Sequence, residues 1–158
     1  MMTMTNLKDD IFIDTNILLR YQIRNFPECP LVKQAVDKLF QEGHRIWISR
    51  QVLREFSGVC TRPQKFMNPI SSAVIAQRIE AFMPMFDIAD ETSATSQAFL
   101  WLMKQFPIGG KQVHDANIVA TMQVYRIPKL FTLNIADFKR FGSLIQLIEM
   151  DSTGNLTL

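Results

Sequence analysis

Cysteine and histidine are scarce in this chain, with two of each in 158 residues. Cys29 and Cys60 share no CxxC spacing and no histidine-rich setting. That excludes a disulfide framework and a zinc centre as organising features, and the pair reads as two reduced thiols of a cytosolic protein. Long apolar runs are also missing. The longest stretch free of Asp, Glu, Lys and Arg is about twelve residues, short of the ~18 that a membrane span needs. The first ten residues lack the apolar centre of a signal peptide. Neither sign of charge dominates, since the formal net charge is +2. This excludes a strongly basic scaffold but leaves room for a local basic groove, because an acidic metal site masks part of a positive excess. There is no internal repeat, no low-complexity tract and no linker.

What remains is an ordinary globular composition, 47% apolar and 20% charged, long enough for one domain with a real core, taken as residues 1–158. Ile11-Phe12-Ile13 and Ile46-Trp47-Ile48 are short buried-strand signals. Pro128 to Thr132 and Leu144 to Met150 predict two more strands, and Phe82 to Ile88 an edge strand at best, because of Pro84. Between them lie helical patterns at Leu31 to Gln41, from Ser49 as cap through Cys60, at Ile70 to Phe82, from Asp90 as cap to about Phe106, and at Val113 to Tyr125. Short apolar strands alternating with helices predict an α/β domain, a parallel sheet of four or five strands with helices on both faces.

Four acids stand in settings where a carboxylate is costly unless neutralised. Asp14 ends the first strand, Glu55 sits in Val52-Leu53-Arg54-Glu55-Phe56, Asp115 opens His114-Asp115-Ala116-Asn117, and Asp137 follows the strand ending at Thr132. Ligands of open parallel sheets collect at the carboxyl ends of the strands. Asp14 lies at one such end, and Asn134 and Asp137 just past another. Glu55 shares a helical face with Val52 and Val59, and Asp115 with Ile118 and Val119, so both point with the core-facing stripe. Each acid alone reads as readily as a helix cap, a surface residue or an ion-pair partner. Together at one sheet edge they predict a metal pocket, and an all-oxygen donor set suits Mg²⁺ or Mn²⁺.

The segments Phe12-Ile13-Asp14-Thr15-Asn16, Val52-Leu53-Arg54-Glu55-Phe56, His114-Asp115-Ala116-Asn117 and Thr132-Leu133-Asn134-Ile135-Ala136-Asp137 resemble the PIN-domain family, in particular small ribonuclease toxins of the Vap type from bacterial toxin–antitoxin pairs. The resemblance implies a Mg²⁺- or Mn²⁺-dependent endoribonuclease, with water attacking an RNA phosphodiester in line. It implies an antitoxin protein as partner and a homodimer. By matching position, Asp14, Glu55 and Asp115 take the family's acidic places, with Thr15 or Asn16 orienting Asp14 and Thr132 offering a hydroxyl. Where many relatives carry a further acid this chain has Asn134, so the fourth role passes to Asp137 or goes unfilled.

Arg20, Arg24, Arg45, Lys111 and His114 are the candidates for phosphate contact, and Lys111 follows a flexible Gly109-Gly110. Ala98 to Met103 is the segment for an exposed apolar partner face. Two rival readings remain. One is a receiver- or phosphatase-like domain, but Asn16 stands where a haloacid-type phosphatase needs its second acid. The other is a PIN-like binding module that has lost turnover, which Asn134 favours.

Overall fold

The computed structural model describes residues 7–158. Its centre is a six-stranded sheet in the order β3-β2-β1-β4-β5-β6. The strands are β1 (Ile11–Ile13), β2 (Ile46–Ser49), β3 (Asp87–Ala89), β4 (Lys129–Phe131), β5 (Gln146–Met150) and β6 (Leu156–Thr157). All neighbours pair parallel except β5 and β6. Every residue of β1 and β2 is buried, which is why these strands read as unbroken apolar runs with no alternation. β3 is an edge strand, and Pro84 lies in a short 3-10 turn just before it.

Seven α-helices connect the strands: α1 (Thr15–Gln22), α2 (Cys29–Gln41), α3 (Arg50–Cys60), α4 (Ser72–Phe82), α5 (Ser93–Gln105), α6 (Gln112–Tyr125) and α7 (Ile135–Phe138). The chain first steps from β1 to β2 to β3, then returns past β1 to β4 and β5. Right-handed crossovers therefore put α1 to α4 on one face and α5 to α7 on the other. The core fills both layers, with Phe12, Phe56, Phe131, Phe138 and Phe141 among its largest fully buried side chains. Cys29 and Cys60 are free and buried, and burial pushes the Cys60 thiol up to about 11, an inert thiol. No helix among the described residues is long and apolar enough to cross a membrane.

Two local readings need correction, and one element was not read at all. The sheet has six strands; β6, two residues long, escapes any periodicity argument and pairs antiparallel with β5. The cap of α5 is Thr92, whose side chain and that of Thr95 form a reciprocal capping box. Asp90 accepts from Arg50 Nε at 2.9 Å. Finally α7, a single turn carrying Asp137, carries too few residues to show a helical period.

Candidate metal and nucleic-acid site

Strands β1 and β4 are neighbours whose outgoing connections run to opposite sides, so the crevice beyond their carboxyl ends is the switch point of the sheet. Asp14 stands there as the N-cap of α1, with φ −72° and ψ 163°, and its Oδ1 accepts from the Thr15 N–H at 2.8 Å. Its Oδ2 accepts from the Thr132 hydroxyl at 2.8 Å and the Asn16 amide at 3.2 Å. Asn16 in turn accepts from the Leu133 N–H at 3.1 Å. The start of α1 is thus stitched to the end of β4 around one carboxylate, which is 6% exposed.

Glu55 arrives on α3. Its Oε2 accepts from the Thr15 hydroxyl at 2.6 Å and its Oε1 from Gln51 Nε2 at 2.8 Å. Asp115 is in the first turn of α6 and Asp137 in α7, where the helix dipole favours negative charge. Among the described residues neither of these two carboxylates accepts a protein hydrogen bond or forms an ion pair.

The four charges feel one another. Burial pushes Asp14 up to about 6 against the pull of its Thr132 and Thr15 hydrogen bonds, and the charges of Glu55 and Asp137 add to the rise. Burial likewise pushes Asp115 up to about 7, helped by Asp14, Asp137 and Glu55 and opposed by Arg140. Arg140 is the one cation acting on Asp115. Its Nη1 is engaged with the Pro107 carbonyl at 2.8 Å and Gln112 Oε1 at 3.0 Å.

The donor set is oxygen only, the choice of a hard divalent cation. Among the described residues no three His, Cys, Asp or Glu side chains are grouped tightly enough to enclose an ion by themselves. Mg²⁺ rarely requires that, since it keeps several waters and takes one or two carboxylates. The residues fit such an ion.

Gln51 is a feature that sequence reasoning missed. Only 5% exposed, it donates from Nε2 to Glu55 and to the His114 carbonyl at 2.9 Å, and accepts at Oε1 from Asn117 at 2.7 Å. One amide therefore locks α3 to the start of α6. A glutamine four residues before Glu55 was the available signal, but a polar residue on a helix says nothing of its own burial. Gln51→Ala removes three part-buried hydrogen bonds and should lower stability by about 1 kcal/mol or more, read from urea unfolding. An unchanged midpoint would mean that this bridge contributes nothing to the fold.

Beside the acids runs an open groove lined by Thr15, Glu55, Asp115, Arg54, Arg62, Lys111 and His114. Lys111 and His114 are where the sequence placed them, and Arg62 joins them. Arg20 stays near the site, donating to the Asn16 carbonyl at 3.0 Å, but its Nε is paired with Glu28 at 2.8 Å. Arg24 does not line this groove; it lines a separate cleft with Tyr21, Lys33 and Arg78. Arg45 is a correction. It precedes β2, at the amino edge of the sheet, where it pairs with Asp87 at 2.8 Å and Asp10 at 3.8 Å and stacks on Trp47.

Fold and lining together define a parallel α/β domain with carboxylates at the switch point of its sheet and with Arg54, Arg62 and Lys111 in the groove beside them. The PIN domain family model matches residues 11–144, and the chain belongs to the PIN-domain family. Among solved structures it is similar to VapBC2 from Rickettsia felis bound to a DNA fragment from their promoter, with 18% identity, TM-score 0.62, and 87% of this chain and 96% of that one covered. FitAcB from Neisseria gonorrhoeae matches at 18% identity and TM-score 0.63, over 87% of this chain and 95% of that one. VapC20 of Mycobacterium tuberculosis, described as a sarcin-ricin loop cleaving toxin, matches at 14% identity and TM-score 0.62, over 87% and 98%. At these identities the likeness is one of fold. No curated protein sequence matches the chain.

Proposed function

We propose that this protein is a Mg²⁺- or Mn²⁺-dependent endoribonuclease and the toxin of a toxin–antitoxin pair. The observation that carries the reading is the gathering of Asp14, Glu55, Asp115 and Asp137 about the switch point, where Thr15 bonds to both Asp14 and Glu55, and burial with mutual repulsion raises Asp14 and Asp115, the latter against Arg140. Family membership and the toxin–antitoxin neighbours support it.

In this reading Asp14 and Asp115 would hold the ion. Asn16, Thr15 and Thr132 keep the Asp14 carboxylate in one orientation. Glu55 and Asp137 would complete the oxygen set, and a carboxylate oxygen of Glu55 or Asp137 would accept the proton of the attacking water. A bound divalent ion supplies polarisation of the scissile phosphate and a lower pKa for that water. Lys111 and Arg62 line the groove where flanking phosphates would lie, with Arg54 already paired to Glu91 at 3.4 Å and Arg20 to Glu28 at 2.8 Å. Small toxins of this kind pair with an antitoxin and with themselves, and the exposed Leu100, Trp101 and Met103 of α5 are the apolar face we assign to such a partner.

Purified protein should cut single-stranded RNA with Mg²⁺ or Mn²⁺ and stop when EDTA is added. Cutting that survives thorough chelation would sink the metal reading, and no cutting with either ion would leave a binding module. The fourth position gives a second test. Both Asn134 and Asp137 are exposed, but Asp137 alone adds charge to Asp14 and Asp115. Asp137→Asn should therefore slow cleavage by roughly tenfold or more, about 1.4 kcal/mol, while Asn134→Ala changes little. The reverse order would make Asn134 the contact.

A further inference from the structure

Arg24, assigned to phosphate contact by charge alone, lies away from the acid groove in a cleft of its own. The cleft is bounded by the turn between α1 and α2 and by α4, and Arg24, Lys33 and Arg78 line it together with Asn25 and Ile70. No carboxylate is among its lining residues. Among the described residues none of these three cations forms an ion pair. Of the acids near them along the chain, Glu28 is paired with Arg20 at 2.8 Å and Asp37 accepts from the Tyr21 hydroxyl at 2.7 Å, while Glu80, two residues after Arg78 on α4, is exposed and forms no ion pair among the described residues. Three like charges gathered without a counter-charge repel one another, and an anion in the cleft relieves that repulsion.

Phe26, in the turn that bounds the cleft, has an open aromatic neighbour. Phe66 is 40% exposed and leans edge-on against Phe26 of the same turn, with centroids 4.8 Å apart. A basic cleft next to an open aromatic ring is the combination that tracks single-stranded nucleic acid, charge for the backbone and a ring for a base. The spacing also suits a strand. Helix α1 runs from Asp14 to this turn over eight residues, about 12 Å. That is the length of roughly two to four nucleotides, at 3.4 Å or more per nucleotide.

We infer that the cleft of Arg24, Lys33 and Arg78 is a second phosphate-binding site, which holds the backbone of the RNA strand a few nucleotides from the acids. The inference rests on RNA being the ligand, but not on its being cut. It predicts that RNA length matters: a strand long enough to reach both sites binds through both, and a very short one through the acid groove only.

The test is binding in EDTA, where turnover is not needed, with a labelled dinucleotide, too short to reach both sites, and a labelled single-stranded RNA of about 20 nucleotides, both checked for integrity on a gel. Arg24→Ala/Lys33→Ala/Arg78→Ala should weaken the long RNA at least tenfold. It should also flatten the slope of log affinity against log salt by about 2, since each lost phosphate contact on a single strand accounts for about 0.7. The short RNA should bind as before. Removing three other exposed lysines, Lys8, Lys38 and Lys104, serves as the control for net charge. The inference is overturned if the long RNA keeps its affinity and slope, or if the control triple loses as much. It is overturned as to ligand if only inorganic pyrophosphate, and not RNA, depends on the three cations. A protein that binds RNA in this way yet never cuts it would leave the inference standing and end the nuclease reading.

Discussion

Asparagine in place of Asp115 is expected to cut RNA cleavage by about 10²–10³-fold, or ~2.7–4 kcal/mol of transition-state stabilisation, the scale of losing one preorganised electrostatic group. The same loss is expected for Asp14→Asn. The two replacements keep shape and volume, so the effect isolates charge. For Asp115 the argument is direct, because its carboxylate has no hydrogen bond or ion pair among the described residues that the substitution breaks. Asp14 is different. It accepts from Thr15, Asn16 and Thr132, and an asparagine must aim its own amide N–H away from those donors. Part of its loss therefore comes through orientation. Single-turnover cleavage reads both losses. Near-normal turnover in either variant would remove that residue from the site.

The sheet was legible because its central strands are buried on both faces. Ile11-Phe12-Ile13 and Ile46-Trp47-Ile48 show no polar alternation to confuse with a surface strand, and each is followed at once by a capping residue, Asp14 and Ser49. The small elements were not legible. A single turn such as α7 and a two-residue strand such as β6 exist because tertiary contacts hold them, and no local period announces them. The helix start at Thr92 lost out to Asp90 because both are good caps, and only the partner of Asp90 across the chain, Arg50, decides between them.

The acids were legible and their neighbours were not, for a physical reason. An acid amid apolar residues violates a local rule and so draws notice, whereas Gln51 or Arg140 violates nothing. Gln51 looks like any helix polar residue until α6 comes down on it, and Arg140 is one of two cations, with Lys139, between Phe138 and Phe141. The arginines show the opposite failure. Arg24 and Arg45 were gathered with Arg20 by charge, although Arg45 precedes its strand and so belongs to the amino edge, a consequence of topology that charge alone ignores.

The repulsion among the acids makes the metal-free protein sensitive to pH and to divalent ions. Two carboxylates ~4 Å apart repel by about 4 kcal/mol at an effective dielectric of 20. Asp14 and Asp115 sit at about 6 and about 7, above their ordinary 3.8. Between about pH 4 and 7 the folded chain therefore binds more protons at these groups than the unfolded chain does. Their contribution to stability must fall as pH rises through that window and is fully lost above it. Melting in EDTA should show it, with wild type losing more between pH 5 and 8 than Asp115→Asn, which cannot titrate there. At pH 8 the metal-free Asp115→Asn protein should be the more stable of the two. Mg²⁺ at about 100 times its Kd adds about 2.7 kcal/mol to the folded state, which at 2–4 °C per kcal/mol is a rise of roughly 5–10 °C in wild-type Tm. Asp115→Asn should show a much smaller rise. An equal rise in both proteins would place the ion elsewhere, and an equal pH slope would show that Asp115 does not titrate in this range.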